Sequence, residues 1–277
     1  MEQLSGKVGV VTGAASGIGR AVATRFAAEG MQVVLADIEP DRLEEVVDEI
    51  TATGARAIGV VTDVRHEEQI EALAAATVDA FGTVHVVHNN AGVVTSGPLE
   101  DLTTADWEWV LGVDLWSVIF GVKTFLPLIK QAGEGHIVNT ASTAGLQANA
   151  GIGPYNVAKF GVVALTETLA LELRGIDNIN ASVLCPGAIN TRIVDSDRNR
   201  PAELAEHVET AIEERFKQGS GAILAKGKDP AEVADLVVDG IRSNRFWLLT
   251  HEAWNDVVLE RARALAADGH LHNGFGG

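Results

Sequence analysis

Short β-branched runs alternate with stretches of helical periodicity from residue 7 almost to the end of the chain, and this rhythm limits the fold more than any other feature. Residues 7–11, 32–36, 56–61, 84–88, 136–140, 179–184 and 246–249 read as strands. Residues 20–29, 41–50, 67–81, 104–130, 155–173 and 252–266 carry apolar side chains at helical spacing, and Gly30 and Gly82 stop two of them. Strands joined by crossover helices imply a parallel sheet covered on both faces. Right-handed crossovers make it doubly wound. The expected fold is therefore α/β: a doubly wound, mostly parallel seven-stranded sheet with helices on both faces, Rossmann-like. No Pro/Ser-rich linker or fixed-period repeat divides the chain, so residues 1–277 are expected to form one domain.

The rhythm breaks over residues 189–228, where some forty polar, helix-prone residues separate two elements. A helix is expected over 201–217, followed by a cluster of Gly219, Gly221 and Gly227. Long insertions in compact domains tend to cover sites, so a substrate lid is expected here.

Composition narrows the possible partners. The 38 acidic and 21 basic residues give a net charge of −17, which repels phosphate backbones and argues against nucleic acid. One cysteine, Cys185, excludes an intrachain disulfide and suits a reducing compartment. The first residues carry no basic segment followed by an apolar stretch. The longest apolar region, 115–129, is broken by Ser117, Gly121, Lys123, Thr124 and Pro127, so no membrane span is expected. These features suggest a cytoplasmic protein. The eight histidines are scattered without ligand spacing, so no metal is expected.

Chemistry-bearing residues collect at the carboxyl ends of the expected strands, where open α/β sheets bind ligands. Gly13, Ser16, Gly17, Ile18 and Gly19 follow the first strand and open the first helix, which suits a pyrophosphate cradled by backbone N–H groups. Asp37 ends the second strand. Its carboxylate can accept hydrogen bonds from a ribose diol and would repel a 2′-phosphate, and neither Ser16 nor Ile38 supplies a cation for one. The expected cofactor is therefore NAD. Asp63 and Val64 after the third strand, and Asn90, Ala91 and Gly92 after the fourth, extend the same edge. Tyr155, the one tyrosine, precedes Lys159 by four residues and shares its helix face. A nearby ammonium lowers a phenol's pKa, making Tyr155 a candidate general acid/base. Ser142, after the fifth strand, could hydrogen-bond the same substrate oxygen.

In this order the motifs resemble the single-domain short-chain dehydrogenase/reductase family over residues 5–260. The resemblance rests on 12–19, Asp63-Val64, 89–92, Ser142, 155–159, Pro186-Gly187 and Thr191. It implies that Tyr155 transfers the substrate proton, Ser142 orients the substrate oxygen, and Lys159 binds the nicotinamide ribose and tunes Tyr155. It also implies that Pro186, Gly187, Ile189 and Thr191 hold the nicotinamide, and that the protein is a homotetramer built from the helices containing Asp114 and Tyr155. One position departs: Gly112-Val113-Asp114-Leu115 places Asp114 where the family usually has an Asn supporting a water relay to the lysine. The expected activity is hydride transfer between NAD(H) and a secondary alcohol or ketone, the substrate leaning lipophilic. The alternatives are an NADP-preferring carbonyl reductase and a catalytically silent NAD-binding regulator on the same fold.

Overall fold

Valine-rich strands buried on both faces form the centre of the protein. In β1 (Val8–Thr12), Val8, Val10 and Val11 are wholly buried, as are Val33, Val34, Leu35 and Ala36 of β2 (Gln32–Asp37). β4 (Val86–Asn89), β5 (Gly135–Thr140) and most of β6 (Ile179–Cys185) are equally enclosed. β3 (Ala57–Val61) and β7 (Trp247–Leu249) are more open, as edge strands should be, with Val61 and Trp247 exposed. The computed structural model describes residues 1–204 and 211–267. Its seven strands form one sheet in the order β3-β2-β1-β4-β5-β6-β7. Every pairing is parallel. The strand order reverses between β1 and β4, and that switch point opens a crevice at the carboxyl ends.

Helices cover both faces. One core cluster joins α1 (Gly17–Ala28), α2 (Pro40–Thr51) and α8 (Pro230–Ser243) to the sheet through Phe26, Leu43 and Val237. The second joins α3 (Glu67–Phe81), α4 (Thr104–Leu111), α5 (Ser117–Ala132) and α6 (Gly153–Glu172) through Leu73, Trp109, Phe125 and Leu169. The expected architecture is present, and the sheet is parallel throughout.

Several local expectations need correction. The expected continuous helix over 104–130 contains a π-turn, Gly112–Trp116, between α4 and α5. The extra residue shifts the register of the following turn, and Asp114 within the π-turn is wholly buried. The helical run Thr104–Ala132 is long and apolar enough to cross a membrane, unlike the shorter region read from the sequence. Here Trp109, Val110, Phe125 and Ile129 of that run are buried in the second core cluster.

In the insertion, a 3₁₀ segment spans Ile193–Asn199 and a 3₁₀ turn Ala202–Leu204. Part of the helix expected over 201–217, residues 205–210, lies outside the described residues. The described helix, α7 (Ala211–Leu224), continues past residue 217 and takes Gly219 and Gly221 into its body, so they form no loop cluster. α8 is not among the helices expected from the sequence, although Asp229 and Glu232 form a capping box at its start: Ala231 N donates to Asp229 Oδ1 at 2.8 Å. The insertion closes on itself at a parallel bridge between Ile189 and Lys228, with Asn190 N donating to Lys228 O at 2.9 Å. The last helix among the described residues, α9, spans Trp254–Ala267.

Candidate active site

The loop after β1 is built for close approach. Gly13 and Gly17 adopt φ of +65° and +53°, in the left-handed region that favours glycine. A Cβ at Gly19 would stand 2.1 Å from the Gly13 carbonyl oxygen, so only glycine lets α1 start against the turn. Ser16 caps α1 in an extended conformation, with no side-chain bond to the helix. Thr12 Oγ1 accepts hydrogen bonds from Asn90 N at 2.9 Å and Ala91 N at 3.1 Å, and Asn90 Nδ2 donates to Thr12 O at 3.0 Å. These bonds tie the ends of β1 and β4 together across the switch point.

Asp37 points back at this loop. Its carboxylate accepts from Ala15 N at 2.8 Å and Glu39 N at 3.1 Å. Burial pushes its pKa up, and the two backbone donors oppose the rise. Asp63 is held by the Arg65 guanidinium at 2.6 Å, and its backbone N–H donates to Gln69 Oε1 at 2.7 Å.

The second group of candidate residues lies at the start of α6, where Pro154 stands in the first turn and Tyr155 and Lys159 follow one turn apart. Ser142 Oγ accepts from Ala144 N at 3.1 Å and donates to Pro186 O at 3.4 Å. Lys159 is 2% exposed; its Nζ donates to Thr140 O at 3.1 Å and lies 5.4 Å from the centroid of the Tyr155 ring. Asp114 is fully buried. Its Oδ2 stands 3.0 Å from Lys159 Nζ, and its Oδ1 accepts from Val93 N at 2.8 Å. The aspartate thus meets the lysine directly, with no gap left for a water between them.

Burial alone would lower the Lys159 pKa, but Asp114 and Tyr155 outweigh it and raise it, keeping the ammonium charged. Burial raises the Asp114 pKa against the pull of Lys159 and the Val93 N–H. Burial also raises the Tyr155 phenol; Lys159 and the Ser142 hydroxyl draw it down, and Asp114 pushes it up. The lowering by Lys159 expected from spacing is present, but burial exceeds it in the free protein.

One cavity of about 540 Å³ gathers nearly all the residues singled out in the sequence. Its wall includes Gly13, Ser16, Gly17, Ile18, Asp37, Asp63, Val64, Asn90, Ala91 and Gly92. Ser142, Tyr155, Lys159, Pro186, Gly187, Ile189 and Thr191 complete the set. Gly19 and Asp114 stand one layer behind, Gly19 against Gly13 and Asp114 against Lys159. Gly187 N donates to Thr250 Oγ1 at 2.9 Å, which anchors the far wall. Cys185 lies under that wall, where burial pushes its thiol up to about 12 and leaves it unreactive.

Sequence reasoning missed the residues that tie the insertion down. Glu39 accepts from Arg198 Nη2 at 2.8 Å and Asn199 Nδ2 at 2.9 Å. Arg200 pairs with Asp106 at 2.6 Å and lies 4.9 Å over the Trp109 ring. Val94 N donates to Ser196 Oγ at 3.2 Å. These partners lie 94 to 160 residues apart in the chain, and no local pattern announces them.

The family model described as short chain dehydrogenase matches residues 7–202. The chain belongs to the short-chain dehydrogenase/reductase family. A short-chain dehydrogenase/reductase from Burkholderia phymatum, solved in complex with NAD, is 40% identical, with a TM-score of 0.96 and 99% of each chain covered. The CLA biosynthesis dehydrogenase/reductase of Lactiplantibacillus plantarum is 30% identical over 99% of this chain and 100% of its own. The (2S)-[(R)-hydroxy(phenyl)methyl]succinyl-CoA dehydrogenase subunit BbsD of Thauera aromatica is 37% identical over 69% of this chain and 77% of its own. As a family member the chain is a dehydrogenase/reductase of small molecules on a Rossmann-like fold.

Proposed function

We propose that this short-chain dehydrogenase/reductase is an NAD-dependent enzyme that interconverts a secondary alcohol and a ketone, with Tyr155 as general acid/base. The observation that carries the reading is the single cavity joining a glycine cradle and Asp37 at one end to Ser142, Tyr155 and Lys159 at the other. NAD fits these residues. A side chain at Gly19 would fill the cradle from behind, and Asp37 is a ribose-diol acceptor fixed by two backbone donors. The Burkholderia phymatum relative was crystallised with NAD, which supports the same choice.

Gly13, Ser16, Gly17 and Ile18 would hold the pyrophosphate, Asp37 the adenosine ribose, and Asp63 and Val64 the adenine. Asn90, Ala91, Gly92, Lys159 and Tyr155 would hold the nicotinamide ribose, and Pro186, Gly187, Ile189 and Thr191 the nicotinamide. When bound, NAD supplies the hydride acceptor. Ser142 donates to or accepts from the substrate oxygen and fixes the reacting carbon. Tyr155 takes the hydroxyl proton during oxidation and returns it during reduction. Lys159 holds the charge that makes a phenolate accessible, and Asp114 and the Thr140 carbonyl hold Lys159 in place. An absorbance screen for NADH over diverse secondary alcohols tests the reading; NAD binding with no NADH from any of them would refute it.

The cofactor choice has its own test. Asp37→Ala should gain affinity for NADP and lose it for NAD, because the like charge facing a 2′-phosphate has gone. Dissociation constants from Trp fluorescence decide; no gain for NADP would remove Asp37 from this role.

Asp114 gives a pH prediction. Its negative charge raises the Tyr155 pKa, and oxidation needs the phenolate. Asp114→Asn should therefore shift the rising limb of log(kcat/KM) for alcohol oxidation to lower pH. NAD affinity should stay nearly unchanged, because Asp114 stands behind Lys159. Superimposable profiles would show that Asp114 acts as a neutral isostere.

The insertion over 189–228 acts as the lid in this reading, latched through Arg198 to Glu39 and through Arg200 to Asp106. Hydrogen exchange across its described residues should slow when NAD is added; an unchanged pattern would speak against a lid. Homo-oligomerisation through the helices carrying Asp114 and Tyr155 is part of the proposal. Exposed Trp116 and Val157 on those elements support it.

A further inference from the structure

One helix of the insertion presents an apolar face to the cavity. Phe216, Ser220, Ile223 and Leu224 of α7 all contribute to the cavity wall, and their spacing of four, seven and eight residues puts them on one side of the helix. None of them is buried, and Ile223 is 62% exposed, so this face does not serve the protein core. Around Tyr155 the wall continues apolar through Trp109 and Ile152.

The cations on the wall are already engaged. Arg65 holds Asp63, Arg192 holds Asp195 at 2.7 Å, and Arg198 holds Glu39. Lys159 is buried against Asp114. A substrate carboxylate or phosphate would compete with these carboxylates for the same guanidinium and ammonium groups. An apolar flank meets no such competition, and gains from covering the α7 face.

We infer that the substrate is an uncharged secondary alcohol or ketone carrying a hydrocarbon or ring flank, and that Phe216, Ile223 and Leu224 select it by gripping that flank. This rests on the oxidoreductase reading and adds the substrate class and the residues that set it. Ser220, the small residue on the same face, leaves room for the flank.

The test uses 2-butanol, 2-hexanol, 2-heptanol and 6-hydroxyheptanoate, which is 2-heptanol with its terminal methyl replaced by a carboxylate. With NAD, kcat/KM should rise roughly three- to fourfold per added methylene along the neutral series. 6-Hydroxyheptanoate should fall at least about a hundredfold below 2-heptanol, because its charge must be desolvated without a free cation. Phe216→Ala should cut the advantage of 2-heptanol over 2-butanol by about tenfold. Ser220→Phe should do so by filling the space, with NADH affinity retained in both variants. A flat chain-length profile, or a carboxylate handled as well as the neutral alcohol, overturns the substrate class and leaves the oxidoreductase reading standing. Calorimetric titration of the NADH-loaded protein with 2-heptanone separates the two claims. Phe216-dependent binding without turnover of any alcohol would support the apolar site and overturn the oxidoreductase reading. Absence of both binding and turnover overturns both.

Discussion

Tyr155→Phe should lose about 10²–10⁴-fold in kcat and keep its affinity for NADH. The substitution removes one hydroxyl and leaves the ring that packs 5.4 Å from Lys159 Nζ. General acid–base transfer by a positioned side chain supplies that range of acceleration. Ser142 and the anchored Lys159 remain to bind substrate and cofactor. The loss should therefore fall on kcat, with little change in the dissociation constant for NADH measured by Trp fluorescence. A variant retaining more than about a tenth of kcat would mean that the proton moves by another route.

Lys159→Met should destabilise the fold as well as abolish turnover. Asp114 is fully buried and its charge faces Lys159 at 3.0 Å. Removing one partner of a buried ion pair typically costs about 3–5 kcal/mol, because the other charge is left uncompensated. For a chain of this size that corresponds to a fall in Tm of roughly 10 °C. The sign with pH follows from the carboxyl group. Without the ammonium its folded-state pKa rises further above the unfolded value. The variant is then relatively protected where Asp114 is protonated, and loses stability as pH rises through that raised pKa. Lys159→Met combined with Asp114→Asn should recover much of the lost Tm, since no buried charge remains, while staying inactive. Equal melting temperatures for Lys159→Met and the wild type at neutral pH would contradict a buried charged pair.

The parts of the fold that depend on local pattern could be read from the sequence. The strand runs around Val10, Val34 and Val87 are short and valine-rich, so their burial and their order as strands were visible. The strand-turn-helix at Gly13–Ser16–Gly17–Gly19 marked one end of the cavity, and Tyr155 with Lys159 marked the other. Asp114 could be picked out by position, but its direct contact with Lys159 could not. Asp114 sits in a π-turn, and nothing in Gly112-Val113-Asp114-Leu115 distinguishes one from an ordinary helical turn. The insertion was visible as a break in rhythm, and its ends coincide with the Ile189–Lys228 bridge. Its internal structure differs from the expectation because Gly219 and Gly221 look like breakers in sequence, whereas α7 runs through both. The ion pairs of Arg198 with Glu39 and of Arg200 with Asp106 are tertiary, and only the folded chain brings them together.

The central claim is that Tyr155 moves a proton while NAD takes the hydride, at one end of a cavity whose other end selects NAD through Asp37. The most direct measurement is NADH formation from 2-heptanol by the wild type and Tyr155→Phe, with NAD and NADP run in parallel. The account predicts steady NADH formation by the wild type with NAD, a far slower rate with NADP, and a rate near background for Tyr155→Phe. Equal rates in the wild type and Tyr155→Phe would contradict it.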